Sequence, residues 1–135
     1  MRVTETDLNA YRAMKMEAAE LREIIGEIEA ALFSPGVKLD GQPRAKGGKG
    51  GGMEDLVARK DQAVQDYEAK LAELLRDMRR IERAISGLPS VERRIIRRHY
   101  LSGQTWEAVA DAESYSYVQI WRIKKRAIAR LENAK

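Results

Sequence analysis

Apolar residues recur at every third or fourth position in two long stretches of this sequence, and this spacing restricts the chain to helical structure. Steps that alternate between three and four residues place apolar side chains along one face of an α-helix, as in a coiled coil. The first set is Tyr11, Met14, Ala18, Leu21, Ile25, Ile28 and Leu32, and the second is Val57, Val64, Tyr67, Leu71, Leu74, Met78, Ile81, Ile85 and Leu88. Each set predicts one long helix, with Lys60 as a polar intrusion in the second.

The segment between the two predicted helices, residues 34–53, has a different composition. It holds seven of the ten glycines, two of the three prolines and four basic residues. Glycine gives the backbone many accessible conformations, so we expect a flexible basic linker, or a loop that orders on nucleic acid. Its run GGKGGG does not predict a phosphate-binding P-loop, because no Gly-Lys-Ser/Thr follows it and no strand precedes it.

The two predicted helices are similar in length, so we expect an antiparallel helical hairpin over residues 1–87. Its first helix is expected to begin near Thr4. It should end at Phe33–Ser34, because Pro35 disfavours a helical backbone in the residue before it. Two helices alone bury only a narrow apolar stripe. We therefore expect the hairpin either to form a homo-oligomer through its heptad helices or to pack on the rest of the chain.

The remaining segment, residues 88–135, is basic, with ten basic and five acidic residues against a net charge of +4 for the whole chain. Three short helices and no strand are predicted here, so the fold class is all-α. Their expected bounds are from Ser90 as N-cap to near Tyr100, from Thr105 onward, and from Ser116 to near Asn133. Their expected buried residues are Ile95, Ile96, Tyr100, Ile120, Ile123, Ala127, Ile128 and Leu131.

A short helix, a turn of three or four residues and a longer basic helix are typical of a helix-turn-helix. In that motif the amides at the start of the earlier helix meet a phosphate, and the later helix enters the major groove of double-stranded DNA. Helix 116–133 is therefore the predicted reading helix. The unequal charge of the two parts of the chain points to a polyanion as the partner of the basic end.

Nine residues are the candidate DNA contacts. They are Thr105, Ser116, Tyr117, Gln119, Trp121, Arg122, Lys124, Lys125 and Arg126. Arg122 has the donors to bond guanine bidentately, and Gln119 has the donor and acceptor to bond adenine. The three basic residues after Ile123 are expected to neutralise phosphates. The four arginines of the first short helix face either phosphates or nearby Asp and Glu side chains.

The run LPSVERRIIRRHYLSGQTWEAVADAESYSYVQIWRIKKRAIARL, residues 88–131, resembles region 4 of primary-type bacterial sigma factors. The matching residues are Leu88, Pro89, Glu92, Arg93, Ile95, Ile96, Tyr100, Gly103, Thr105, Glu107, Val109, Ala110, Tyr115, Ser116, Ile120, Ile123, Arg126, Ala127, Ile128 and Leu131. With its helical hairpin, the whole chain is similar to small phage and prophage late-gene activators of the ArpU/RinA type. The resemblance implies a DNA-binding regulator that acts near a promoter and contacts RNA polymerase.

The sequence departs from the sigma pattern in two places. Ser114 stands where the turn commonly has glycine, so its backbone is expected to adopt a less favourable conformation. The start of the reading helix carries Tyr117, Val118 and Trp121 where sigma factors are strongly charged. These side chains either contact thymine methyl groups, or Trp121 packs against the hairpin or another protomer.

Two other functions are compatible with the same sequence. Small terminase subunits also combine a helix-turn-helix with coiled-coil oligomerisation, and recognise packaging sites on DNA. The second alternative is a protein-interaction module that binds RNA polymerase or a repressor without DNA contact. The exposed positions expected for Val118 and Trp121 are the features that favour this module.

Composition argues against enzymatic chemistry. The chain has no cysteine and one histidine, His99, which excludes Cys-ligated zinc and makes a His-based centre or a catalytic triad unsupported. The paired Glu54 and Asp55 have no neighbouring base. We therefore predict no catalytic residue, no metal, no cofactor and no small-molecule substrate, and we expect His99 and Trp106 to be structural. Short apolar runs predict no membrane contact and a cytoplasmic location.

Overall fold

The computed structural model describes residues 2–33 and 52–134, and every regular element in these residues is helical. The elements are α1 (Glu5–Phe33), α2 (Gly52–Ser86), α3 (Ser90–Ile96), a π-helical turn (Arg97–Leu101), α4 (Trp106–Glu113) and α5 (Tyr117–Asn133). The predicted all-α class is confirmed. Of the predicted linker only Gly52 and Met53 are described, and they begin α2; the rest, including its expected flexibility, lies outside the described residues.

The predicted starts and ends of the helices agree with the structure to within a few residues. α1 begins after Thr4, whose hydroxyl accepts from Asp7 N at 3.2 Å, while Thr4 N donates to the Asp7 carboxylate at 3.0 Å. These bonds satisfy two amides that a helix start leaves unpaired, and together with the charge of Arg80 they lower the pKa of Asp7. Ser90 was the expected N-cap of α3, but Pro89 occupies that position in an extended conformation.

The described chain divides into two compact units. The first is Met1–Met16 with Leu75–Lys135, and the second is Glu17–Leu74. The predicted boundary between residues 87 and 88 therefore falls inside the first unit. The reason is that both ends of the predicted hairpin segment, residues 1–16 and 75–87, belong to the same unit as the three short helices. Packing of the hairpin on the rest of the chain was the expected alternative to oligomerisation.

The beginning of α1 makes specific contacts in the first unit. Val3 and Leu8 are completely buried, and Val3 N donates to the Leu131 carbonyl at 3.1 Å. Gly103 has a φ of +79°, which side-chain-bearing residues rarely adopt, and a Cβ at this position would lie only 2.6 Å from Cζ of Arg12. Both features favour glycine here. These contacts fix the first turns of α1 against α5 and the segment that precedes α4.

The short helices share one apolar core, in which α3 and α4 each pack on α5. Its fully packed members are Ile95, Val109, Ala110, Ile120 and Ile123, with Val91, Trp106 and Tyr115 at its edge. Every residue predicted to be buried in this region is buried or half-buried. The predicted apolar faces of the short helices are therefore confirmed.

The second unit contains residues 17–33 of α1 and 52–74 of α2. Ala18, Leu21 and Ile25 of the first predicted seam are buried there, as is Val64 of the second. The first two turns of α2 are different, because Met53, Leu56 and Val57 all remain exposed. The predicted seam therefore becomes buried only beyond Val57, and Lys60 is half-buried beside it.

The turn between α4 and α5 consists of Ser114, Tyr115 and Ser116. Ser114 adopts a left-handed conformation with φ 60° and ψ 41°. Its N–H donates to the Asp111 carbonyl at 3.2 Å, and Tyr115 N donates to the Ala110 carbonyl at 3.0 Å, which is the Schellman arrangement. The less favourable backbone expected for Ser114 is therefore observed. It is unfavourable because a left-handed residue other than glycine brings its Cβ close to the carbonyl oxygen.

We predict that Ser114→Gly increases the free energy of unfolding by about 0.5–1 kcal/mol, since glycine removes the left-handed penalty and loses part of that gain to backbone entropy. Ser102→Gly is the matched control. Ser102 has φ −96°, so glycine there should lower stability by a similar amount. Urea unfolding followed by tryptophan fluorescence measures both, and an Ser114→Gly protein less stable than the parent would contradict the prediction.

Candidate nucleic-acid interface

α4 and α5 begin with side-chain caps that the sequence predicted. The Thr105 hydroxyl accepts from Ala108 N at 3.1 Å, which starts α4. The Ser116 hydroxyl accepts from Gln119 N at 3.2 Å, and the Gln119 side chain accepts from Ser116 N at 2.8 Å, which together form a capping box. The amide oxygen of Gln119 is thus already bonded within the cap, and the predicted adenine contact would compete with it.

The face of α5 that points to solvent begins with three apolar side chains. Tyr117, Val118 and Trp121 are 55%, 57% and 47% exposed. Arg122 and Lys125 continue the same face and are also exposed. Neither of these two cations forms an ion pair with a residue in the described ranges. Four of the nine candidate contacts, namely Tyr117, Trp121, Arg122 and Lys125, therefore lie together on one exposed face.

Lys124 is placed differently from the sequence-based expectation. Its side chain is only 15% exposed, and Nζ lies 3.5 Å from Oε2 of Glu5. The ammonium is also 4.6 Å from the ring centroid of Trp121 and 5.3 Å from that of Trp106. Lys124 is thus held by an ion pair and two cation–π contacts inside the protein, rather than extended toward a phosphate. Its position in the sequence gave no sign of this, because Glu5 belongs to α1.

Arg126 turns toward α3 and lies beside a buried carboxylate. Glu92 is only 4% exposed. Arg130 Nε is 3.0 Å from one of its oxygens, and Arg126 Nε is 3.7 Å from the other. A buried carboxylate requires such partners, since an unpaired charge in the interior is strongly destabilising. The Arg126 side chain remains 63% exposed, so a phosphate contact is still sterically open to it. Arg130 was not among the predicted site residues.

Two of the four arginines between Ser90 and Tyr100, Arg94 in α3 and Arg98 in the π-helical turn, face an acidic side chain, which is one of the two alternatives that the sequence left open. Glu113, whose side chain is 5% exposed, is bonded by Arg94 Nε at 3.0 Å and by Arg98 Nε at 2.9 Å. The hydrogen bond from Arg94, and then that from Arg98, lower the pKa of Glu113 against the effect of burial. Arg93 and Arg97 donate to the Leu88 carbonyl and to the Ser86 hydroxyl. This cluster joins α3 to the end of α4.

His99 is part of an aromatic cluster that supports the start of α4. Its ring stacks on Trp106 with centroids 3.8 Å apart, and Tyr100 packs edge-on at 4.7 Å. Its Nδ1 is 2.7 Å from the Gln104 carbonyl. Burial, with a further contribution from the charge of Lys124, lowers the pKa of His99 below its usual value of 6.5. The imidazole is therefore placed to pack against Trp106 and Tyr100 and to hold the segment before α4, as a structural side chain does.

No family model, curated protein or solved structure matches this chain. In the described residues no cluster of acidic, histidine or cysteine side chains has the arrangement of a metal site. None of the helices there is both long and apolar enough to cross a bilayer. The features that bear on function are therefore the geometry and the charges of α4 and α5.

We predict that the free energy of unfolding falls as the pH drops below about 6.5. The unfolded chain binds a proton at His99 near that pH, whereas the folded chain resists protonation, so stability is lost until the folded imidazole is also charged. Urea unfolding at several values between about pH 7.5 and about pH 5.5 measures this slope. His99→Gln should flatten it, and a protein whose stability rises on acidification in this range would refute the placement of His99.

Proposed function

We propose that this chain is a sequence-specific transcriptional regulator, not an enzyme, and that it reads the major groove of double-stranded DNA with helix 116–133. In this proposal α3, α4 and α5 form a helix-turn-helix of the sigma region 4 type. The three-residue turn after α4, the capping box of α5 and the packing of both helices on one core support this assignment.

We further propose that α1 and α2 form an antiparallel hairpin. Two contacts between the start of α1 and the end of α2 support the direction: the Tyr11 hydroxyl donates to the Glu82 carboxylate, and Arg80 lies 3.6 Å from the Asp7 carboxylate. Exposed Met53, Leu56 and Val57 give α2 an apolar surface that favours self-association. The proposed partners are accordingly DNA, a second copy of the chain and, through the sigma-like domain, RNA polymerase.

The DNA proposal depends mainly on one observation: some cations of α5 lie beside carboxylates of other helices, whereas others remain on its exposed face. This helix has five basic residues and one acidic residue. Lys124, Arg126 and Arg130 lie beside carboxylates of other helices. Arg122 and Lys125 remain on the exposed face, which is the one that would enter a groove. Exposed cations that form no ion pair within the described residues, on a helix next to a short turn, suit phosphate and base contacts.

The start of α4 offers a second point of contact with the DNA backbone. The Thr105 side chain accepts a bond from Ala108 N, and its hydroxyl proton is still available as a donor. The first amides of α4 have no partner within their own helix, so they can also donate to a phosphate oxygen. In the helix-turn-helix arrangement, such a contact fixes the register of the reading helix on the duplex.

The same face also suits one function without DNA. Tyr117, Val118 and Trp121 are exposed apolar side chains on one helix face, and such patches frequently mark protein contacts. This observation favours a protein-interaction module as the second candidate. The flanking cations help to distinguish the two functions, because neutralising phosphates with Arg122 and Lys125 releases counterions and gives a steep, linear dependence of log Kobs on log salt.

We predict salt-dependent binding to random duplex DNA, with a slope of log Kobs against log salt of about −5 for roughly five or six neutralised phosphates. Lys125→Ala should make this slope less steep by about one and weaken binding to all sequences alike. Arg122→Ala should in addition relax sequence preference. Fluorescence anisotropy over a salt series measures these quantities.

The matched control for Lys125→Ala is Lys70→Ala, which removes the same charge from an exposed position of α2 in the second unit. Its slope should equal that of the parent. Equal effects of the two variants would show that charge alone, rather than the exposed face of α5, governs binding. Absence of binding at low salt would refute the proposed function and favour the protein-interaction module.

A further inference from the structure

Three exposed apolar side chains lie within five consecutive residues of α5, which is unusual for a helix that otherwise buries its large apolar residues. Ile120, Ile123 and Leu131 of the same helix are at most 7% exposed. Tyr117 and Trp121 are separated by four positions, and Val118 and Trp121 by three. Residues at these spacings are neighbours on a helix surface, so the three side chains form one continuous patch. We call it the apolar patch of α5.

The conformation of the apolar patch is fixed by Lys124, on the inner side of α5, and by the cap at the start of the helix. The ammonium of Lys124 lies 4.6 Å from the centroid of the Trp121 ring and is itself anchored 3.5 Å from the Glu5 carboxylate. The capping box of Ser116 and Gln119 fixes the backbone on which Tyr117 and Val118 stand. Because this geometry exists before any partner binds, little conformational entropy is lost when the patch makes contact.

The surroundings of the apolar patch favour DNA as its partner. Arg122 and Lys125 border it, with Lys125 Nζ 6.0 Å from the Trp121 centroid, and both are exposed. An apolar surface edged by exposed cations complements a groove whose walls are phosphates and whose floor carries apolar groups. In the major groove those groups are the methyl groups at C5 of pyrimidines, on thymine and on 5-methylcytosine.

We propose that Tyr117, Val118 and Trp121 form a contact surface for pyrimidine C5-methyl groups in the major groove. The inference depends on the proposed function and adds a chemical basis for sequence preference to it. Arg122 selects guanine through hydrogen bonds, while the apolar patch selects methylated pyrimidines beside it. Removing one methyl group from such a contact should weaken binding roughly three- to fivefold, from the area that it no longer buries.

The test begins with a duplex selected by the full chain from a random pool. Each thymine of that duplex is then replaced by uracil, which keeps every hydrogen-bonding group and every phosphate and removes only the methyl group. We expect one to three positions at which uracil weakens binding roughly three- to fivefold. Replacing cytosine by 5-methylcytosine in the same duplex shows whether a methyl group from that source also strengthens binding.

Two variants assign the effect to the apolar patch. Val118→Ala should bring the ratio of thymine to uracil affinity close to one at its position. Met16→Ala shortens another exposed apolar side chain, on α1, and should keep the parental ratio. Val118 is 57% exposed, so its truncation leaves the core intact.

The outcomes separate the inference from the function on which it depends. Salt-dependent, selective binding with equal affinity for thymine and uracil at every position, and no gain from 5-methylcytosine, would overturn the methyl contact and leave the regulator standing. Failure to select any duplex would overturn both. Binding that Val118→Ala does not change would assign the apolar patch to a protein partner instead.

Discussion

The packing of the first turns of α1 on the C-terminal helices is the contact on which the first unit depends. Val3, just before α1, and Leu8 within it are fully buried, and burying an apolar side chain of that size contributes roughly 1.5–3 kcal/mol. The same packing brings Glu5 to Tyr100, whose hydroxyl donates to its carboxylate at 2.9 Å, and to Lys124. The Glu5 carboxylate is therefore held beside Lys124, on the inner side of α5.

The cations on the two sides of α5 have different surroundings because of this arrangement. On the inner side, Lys124 is held between two indole rings and a carboxylate, and Arg130 pairs with buried Glu92. On the outer side, Arg122 and Lys125 stay exposed beside the apolar patch. Only part of the positive charge of this basic helix is therefore exposed without a neighbouring carboxylate in the described residues. The net charge of +4 says little about this division, since it counts paired and unpaired cations alike.

Much of the fold was predictable because it depends on local spacing and local caps. Heptad spacing indicates α1 and most of α2, and Thr105 and Ser116 mark the starts of α4 and α5. A less favourable backbone at Ser114 was also expected, because this residue occupies the turn position where the domains that residues 88–131 resemble commonly have glycine. Each of these features is decided by residues within a few positions of one another along the chain.

The organisation of the candidate site was harder to predict because it depends on contacts between distant parts of the chain. The sequence placed Lys124 among the phosphate contacts, yet its partners Glu5 and Trp106 lie on other helices. The division into units also differs from the predicted one, since Val3 precedes the heptad pattern and gave no sign of its burial against α5. Helix periodicity specifies which face is buried, but not which other helix covers it.

The most direct test of the account is a map of backbone amide shifts in nitrogen-labelled full chain during titration with the selected duplex. We predict shifts at the start of α4, around Thr105, and along the first two turns of α5, around Tyr117 and Arg122. We predict none in residues 17–33 and 52–74 at low protein concentration. Shifts confined to those ranges, with α5 unaffected, would contradict the claim that the outer face of α5 is the nucleic-acid interface.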